Sequence, residues 1–303
     1  MLDDVQVTMG IIPPDEVLKE VKEPFLWKEI IFSPKYRKDR VLKYVGSWKN
    51  LRLEICFDQF RMYNSWHKFY HGNNYGDYTI EEIKETIQIF VEKFGSGFLQ
   101  ASIKKMTIGC NLSCNAEKFY SKCISLGPTS FQDMRMGNTH KVYGQYAKQT
   151  NLKFKLYDKQ HEAKIHDRKK IPPTLRVEQE MNMNYIRKRK GTPIRVNTPS
   201  DLLQKGWLSE AIFELVVQTE RIVFSSDLPI EPSDSLVEAE IKILMGNPRS
   251  REVIRAKATP KTFRKRAKIY DGFLREYKQE NIGKCLSQKV EEKMMFLAGQ
   301  NTV

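Results

Sequence analysis

Apolar and polar residues alternate in several segments of the first two-thirds of the chain. This pattern constrains the fold more than any other feature. In residues 51–58 (LRLEICFD), Leu51, Leu53, Ile55 and Phe57 fall on one side and Arg52, Glu54 and Cys56 on the other. Successive side chains of a strand point to opposite faces, so a period of two predicts a half-buried strand. Residues 101–114 (ASIKKMTIGCNLSC), 141–148 (KVYGQYAK), 152–159 (LKFKLYDK) and 174–181 (TLRVEQEM) read as further strands joined by polar turns. Pro172 and Pro173 pin the chain out of helix before the last of them. The polar run after the fourth, through residue 170, reads as a basic tail.

One segment has a different period. In residues 79–97 (TIEEIKETIQIFVEKFGSG), Ile80, Ile83, Ile87, Phe90, Val91 and Phe94 form a helical stripe. Thr79 and Glu82 make a capping box, and Gly95 a stop. From about residue 198 the texture becomes helical, with Pro199 at a first helical position and helices over 234–246 and 260–298. No internal repeat is visible. The order of elements predicts an α+β fold: an antiparallel-sheet domain over 1–197, with its sheet core at about 45–197, and a helical region over 198–303 for DNA binding or assembly.

The 303 residues carry 51 Lys and Arg against 37 Asp and Glu, a net charge of +14. Residues 141–190 hold 14 cations and 5 acids, and residues 251–278 hold 10 and 3. Basic blocks within foldable sequence predict a polyanionic partner. No apolar stretch approaches the roughly 20 residues of a membrane span, and the first 16 residues lack a signal-peptide layout. The expectation is a cytoplasmic protein with no membrane partner. The five cysteines are scattered, and neither they nor the five histidines form a zinc motif.

The fourth strand places Lys153, Lys155, Tyr157 and Lys159 on one face. The fifth places Arg176, Glu178 and Glu180 together. If these strands are neighbours with polar faces aligned, a phenol, several cations and two carboxylates converge. Those groups suit phosphodiester cleavage by tyrosine: the phenol attacks phosphorus, a carboxylate-held cation orients the phosphoryl group, and a lysine stabilises developing charge. The competing reading is an ordinary exposed face, since Tyr is common in strands and Lys and Glu alternate on many sheets. Tyr143 and Tyr146 are rival phenols. Arg187, Lys188, Arg189 and Lys190 in one loop, and Arg264, Lys265 and Arg266 in another basic segment, are candidate phosphate contacts with Lys153, Lys155 and Arg176.

The order of these segments resembles the gene II/X family of phage and plasmid rolling-circle replication initiators, in particular Bacteroidetes-type versions. The resemblance spans roughly residues 45–225: YHGNNYGDYT, IEEIKETIQIFVEKF, KKMTIGCNLSC, LKFKLYDKQHE, LRVEQEMN and TPSDLLQKGWLSEAIFELVV. It implies that Tyr157, in the Tyr-x-Lys position, is the nicking nucleophile and that Lys159 assists it. It implies that Glu178, in the Arg-x-Glu position, helps hold Mg²⁺ or Mn²⁺. It also implies origin DNA of a phage or plasmid in a bacterial host as partner, a 5′ phosphate kept on tyrosine, and a 3′ hydroxyl used by host polymerase and helicase. The sequence departs from the family where an acid is often found. Thr107 and Gly109 stand there, and Asn111 on the same face offers an amide oxygen instead. That departure favours an alternative, a non-catalytic origin- or nucleic-acid-binding protein on the same scaffold.

Overall fold

In a computed structural model of the chain, residues 1–136, 141–188, 194–225, 228, 230–276 and 282–300 are described. The strands are β1 (Leu2–Gly10), β2 (Phe25–Trp27), β3 (Ile30–Arg37), β4 (Arg40–Trp48), β5 (Leu51–Cys56), β6 (Gln59–Tyr63), β7 (Ser102–Leu112), β8 (Cys123–Leu126), β9 (Thr129–Ser130), β10 (Gln132–Arg135), β11 (Val142–Lys148), β12 (Leu152–Asp158), β13 (Leu175–Asn182) and β14 (Ile222–Phe224). The helices are α1 (Asp15–Leu18), α2 (Trp66–His71), α3 (Ile80–Phe94), α4 (Glu117–Tyr120), α5 (Lys159–His166), α6 (Met183–Lys188), α7 (Pro199–Leu202), α8 (Gly206–Glu220), α9 (Leu236–Gly246), α10 (Pro248–Lys257), α11 (Pro260–Glu276) and α12 (Ile282–Leu297). The architecture is α+β, built on an 11-stranded antiparallel sheet of order β10-β11-β12-β13-β7-β1-β6-β5-β4-β3-β2.

The sheet is a topological duplication. In one half the chain leaves β1, goes outward to β2 at the sheet edge, and steps back through β3, β4 and β5 until β6 pairs with β1. In the other it leaves β7, goes outward to β10, and steps back through β11 and β12 until β13 pairs with β7. β1 and β7 pair antiparallel at the centre and join the halves. The sequence shows no repeat because a strand topology needs only an alternating pattern, which unrelated residues can supply.

One face of the sheet is closed by helices. Val5, Val7, Leu53, Phe60, Ile108, Phe154 and Val177 lie in one core with residues of α3, α8 and α12. Each fully buried residue of this kind contributes about 1.5–3 kcal/mol. Phe90 of α3 sits at an aromatic node with Trp48, Trp66, Phe69 and Phe98, so truncating it to Ala would cost about 3–5 kcal/mol. The Thr79–Glu82 capping box starts α3 as the sequence predicts. The core continues past residue 197 through Leu202, Trp207, Leu215 and Leu286. A second small core of Ile241, Met245 and Tyr270 holds α9, α10 and α11.

The structure corrects three details of the sequence reading. The sheet begins at Leu2, and β1 lies at its centre; a bulge between Leu2 and Val5 breaks the alternation that would have marked it. Residues 159–166 are helical, with the Asp158 carboxylate accepting from the His161 N–H at 2.9 Å. Phe57 is not on the apolar face of β5. It stands at φ 52° in the turn to β6 and is exposed. Within 260–298 the helical reading holds, as α11 and α12 among the described residues.

Candidate active site

Register builds the site. β12, β13 and β7 are adjacent, and their pairing lays out three rows on the sheet face opposite the helical core. Tyr157, Arg176 and Asn111 make the first row; Lys155, Glu178 and Gly109 the second; Lys153, Glu180 and Thr107 the third. Strand alternation thus brings the candidate phenol, carboxylate and cations together.

Two glycines make the close packing possible. A Cβ on Gly144 of β11 would lie 2.3 Å from Tyr157 Cβ. A Cβ on Gly109 would lie 2.3 Å from the Val177 carbonyl oxygen and 3.2 Å from Glu178 Cγ. No acidic side chain fits at position 109, since any side chain there meets the Glu178 strand. An acid comes instead from the neighbouring central strand. Asp3 of β1 accepts from Arg176 Nη2 at 2.9 Å and from Asn74 Nδ2 at 3.1 Å on Oδ2, and from Ser65 Oγ on Oδ1. The sequence reading missed Asp3, since an isolated acid in an unrecognised strand gives no signal.

Glu178 is the hub. Its Oε1 accepts from the Tyr157 hydroxyl at 2.9 Å and from Arg176 Nε at 3.0 Å, and its Oε2 from Lys155 Nζ at 3.1 Å. Arg176 also donates to Asn111 Oδ1 at 3.2 Å. Its guanidinium therefore bridges Asp3, Glu178 and Asn111, a planar fork matched to these oxygens. Burial alone would raise the Glu178 carboxyl, but Lys155, then Arg176 and Lys159, hold it well below the usual carboxylate range. Burial, followed by the Glu178 charge, pushes the Tyr157 phenol well above its ordinary value. Burial opposes the charge on Lys155, yet Glu178 and Glu180 outweigh it and raise this lysine.

Lys159 has left the strand face and is the first residue of α5. It is buried, paired with Glu162, and its Nζ lies 5.6 Å from the ring centres of both Tyr157 and Tyr75. Burial, the largest influence, lowers its pKa. Lys153 stands 4.5 Å over the Tyr146 ring. Tyr143 packs edge-on to Tyr157 at 6.3 Å between ring centres. Arg264 and Lys265 are exposed on α11, whereas Arg266 pairs with Glu240 at 3.7 Å. Arg189 and Lys190 lie outside the described residues, and of Arg187 and Lys188 only the helical backbone is described.

The rows open into a cleft of about 440 Å³ lined by Asp3, Lys68, Thr107, Lys155, Tyr157 and Glu178 among others. It does not fit a divalent cation as arranged. Both Glu178 oxygens and the Asn111 oxygen face the chain's own cations. Among the described residues, no three His, Cys, Asp or Glu side chains gather as a ligand set. Among the described residues, too, no helix is long and apolar enough to cross a membrane.

No family model matches the chain, and no curated protein matches it. Among solved structures, the chain is similar to a rolling circle replication initiator protein from Geobacillus stearothermophilus. The identity is 10%, the match covers 78% of this chain and 89% of that one, and the TM-score is 0.39. A superposition of that quality shows neither fold nor function.

Proposed function

We propose that this protein starts rolling-circle replication by nicking and rejoining origin DNA of a phage or plasmid through Tyr157. The observation that carries the reading is the Tyr157 hydroxyl held 2.9 Å from an ionised Glu178 in a polar cleft with Lys155. In the proposed step Glu178 takes the phenolic proton as the Tyr157 oxygen bonds to phosphorus. The P–O3′ bond breaks, the 5′ phosphate stays on Tyr157, and the departing 3′ oxygen takes a proton from water. Lys155, 3.1 Å from Glu178, faces the developing negative charge, and Lys159 lies behind the Tyr157 ring. Host polymerase would extend the 3′ hydroxyl and a host helicase would open the duplex. The exposed cations of α11 would hold duplex phosphates.

The decisive experiment incubates the protein with end-labelled single-stranded oligonucleotides tiled across the DNA that carries its gene. A denaturing gel then separates covalent adducts. The reading requires an adduct that Tyr157→Phe abolishes while DNA binding persists. An adduct undiminished in Tyr157→Phe would move the nucleophile to Tyr143 or Tyr146. The saturated, buried Tyr157–Glu178–Arg176 cluster favours a second reading, a non-catalytic origin-binding protein; DNA binding with no adduct, with or without Mg²⁺ or Mn²⁺, would establish it.

A further inference from the structure

A second cleft adjoins the Tyr157 cleft. It has a volume of about 480 Å³ and lies over the other half of the duplicated sheet, with Ser33, Lys35, Ser47, Lys49 and Arg52 in its lining. Asn50 and Asn64 line both clefts, so the two share a wall. Every charged residue of the second cleft is a cation, whereas the first mixes cations with Asp3, Asp4, Glu162 and Glu178. Lys35 and Lys49 have no carboxylate partner among the described residues, and both are exposed. Lys49 donates to the Phe69 carbonyl at 3.2 Å, and Arg52 shares Glu54 with Lys43. Ile31 and Val45 give it an aliphatic floor. A sheet face with alternating cations and aliphatic floor suits a strand whose phosphates and base faces are both exposed.

We propose that the two clefts form one track for single-stranded nucleic acid: the second holds the backbone phosphates of nucleotides adjoining the one seated at Tyr157. This rests on the reading that the Tyr157 cleft receives a phosphodiester. The duplication explains the division of labour. The β7–β13 half carries Tyr157, Glu178 and Lys155, and strands β3 to β5 of its topological twin with their connecting turn carry Lys35, Lys49 and Arg52. Charge complementarity and continuity with the Tyr157 cleft select a single strand as the occupant.

The test is fluorescence anisotropy with labelled oligodeoxythymidylates graded from about 4 to about 16 nucleotides, the range of single-strand site sizes. Wild-type affinity should rise with length and then level off once both clefts are filled. Lys35→Gln/Lys49→Gln should leave the shortest oligonucleotide unaffected. It should weaken the longer ones about tenfold and lower the salt slope by roughly 1.4, at about 0.7 per lost single-strand phosphate contact. Equal weakening at every length, no weakening of the long oligonucleotides, or equal weakening of a duplex of matched length would each overturn the track. Failure of the wild type to bind any length would instead refute the Tyr157 reading, and the track with it. Lys49→Arg, which keeps the charge, should restore the long-oligonucleotide affinity expected for one retained contact.

Discussion

Replacing Arg176 with Leu tests the logic of the site at its centre. The guanidinium lies 2.9 Å from Asp3 and 3.0 Å from Glu178, and it is almost completely buried. At about 3 Å and an effective dielectric near 20, each contact is worth roughly 5 kcal/mol of gross attraction. Desolvation of three charges takes back most of that, so the intact cluster adds little net stability. Removing one partner is different, because two carboxylates then remain buried beside each other. The expected loss is about 3–5 kcal/mol, or a fall in Tm on the order of 10 °C for a chain of this size. The pH dependence carries the sharper test. In the wild type the folded Glu178 value is depressed, so its contribution is present above the unfolded value near 4.5 and is lost as pH falls through the folded value. In the variant Glu178 keeps Lys155 but loses Arg176, so its carboxyl is depressed less and contributes less pH-dependent stability. The stability gap should therefore narrow as pH falls below about 4.5. Urea unfolding followed by circular dichroism at several pH values measures this. A gap that stays constant across the range, or a loss below about 1 kcal/mol at neutral pH, which is the scale of an exposed pair, would refute the reasoning. If the Leu variant does not fold, Arg176→Lys keeps one charge without the fork and should show a smaller gap with less pH dependence.

Three further outcomes follow from the same geometry. Gly109→Ala should cost about 3 kcal/mol, because its Cβ would meet the Val177 carbonyl oxygen at 2.3 Å and strand backbone cannot move aside as a side chain can; chemical denaturation measures it, and a neutral result would mean the strands are further apart. Tyr157 should stay protonated above pH 10, so the Tyr157→Phe difference titration at the phenolate absorbance should lose a late-titrating phenol, and loss of one titrating near 10 would contradict its burial against Glu178. Arg264→Ala/Lys265→Ala/Lys268→Ala on the exposed face of α11 should weaken duplex binding and lower its salt slope by about 2.7, at about 0.9 per phosphate, with no change in unfolding; an unchanged slope in filter binding would remove α11 from the DNA surface.

Local chemistry was legible in the sequence wherever the pattern is short-range. The Thr79–Glu82 box and the stripe of α3 follow from spacing within one helix. The alternation of β12 and β13 places Tyr157 and Lys155 on one face and Arg176 and Glu178 on another before any pairing is known. Tertiary structure decided that these faces coincide, because strand register depends on long-range pairing that single-strand periodicity does not encode. It also decided that the face is buried rather than wet. That follows from α5 and the loop carrying Asn74 and Tyr75, whose carbonyls accept from Asn111 at 3.3 and 2.8 Å. Asp3 lies 173 residues from Arg176, and only the central position of β1 joins them. The duplication of the sheet was likewise invisible, since topology is set by which strands pair and not by which residues they contain. Gly109 shows the two levels together. The sequence displays a missing acid, and only the packed strands give the reason: a carbonyl oxygen fills the space a side chain would need.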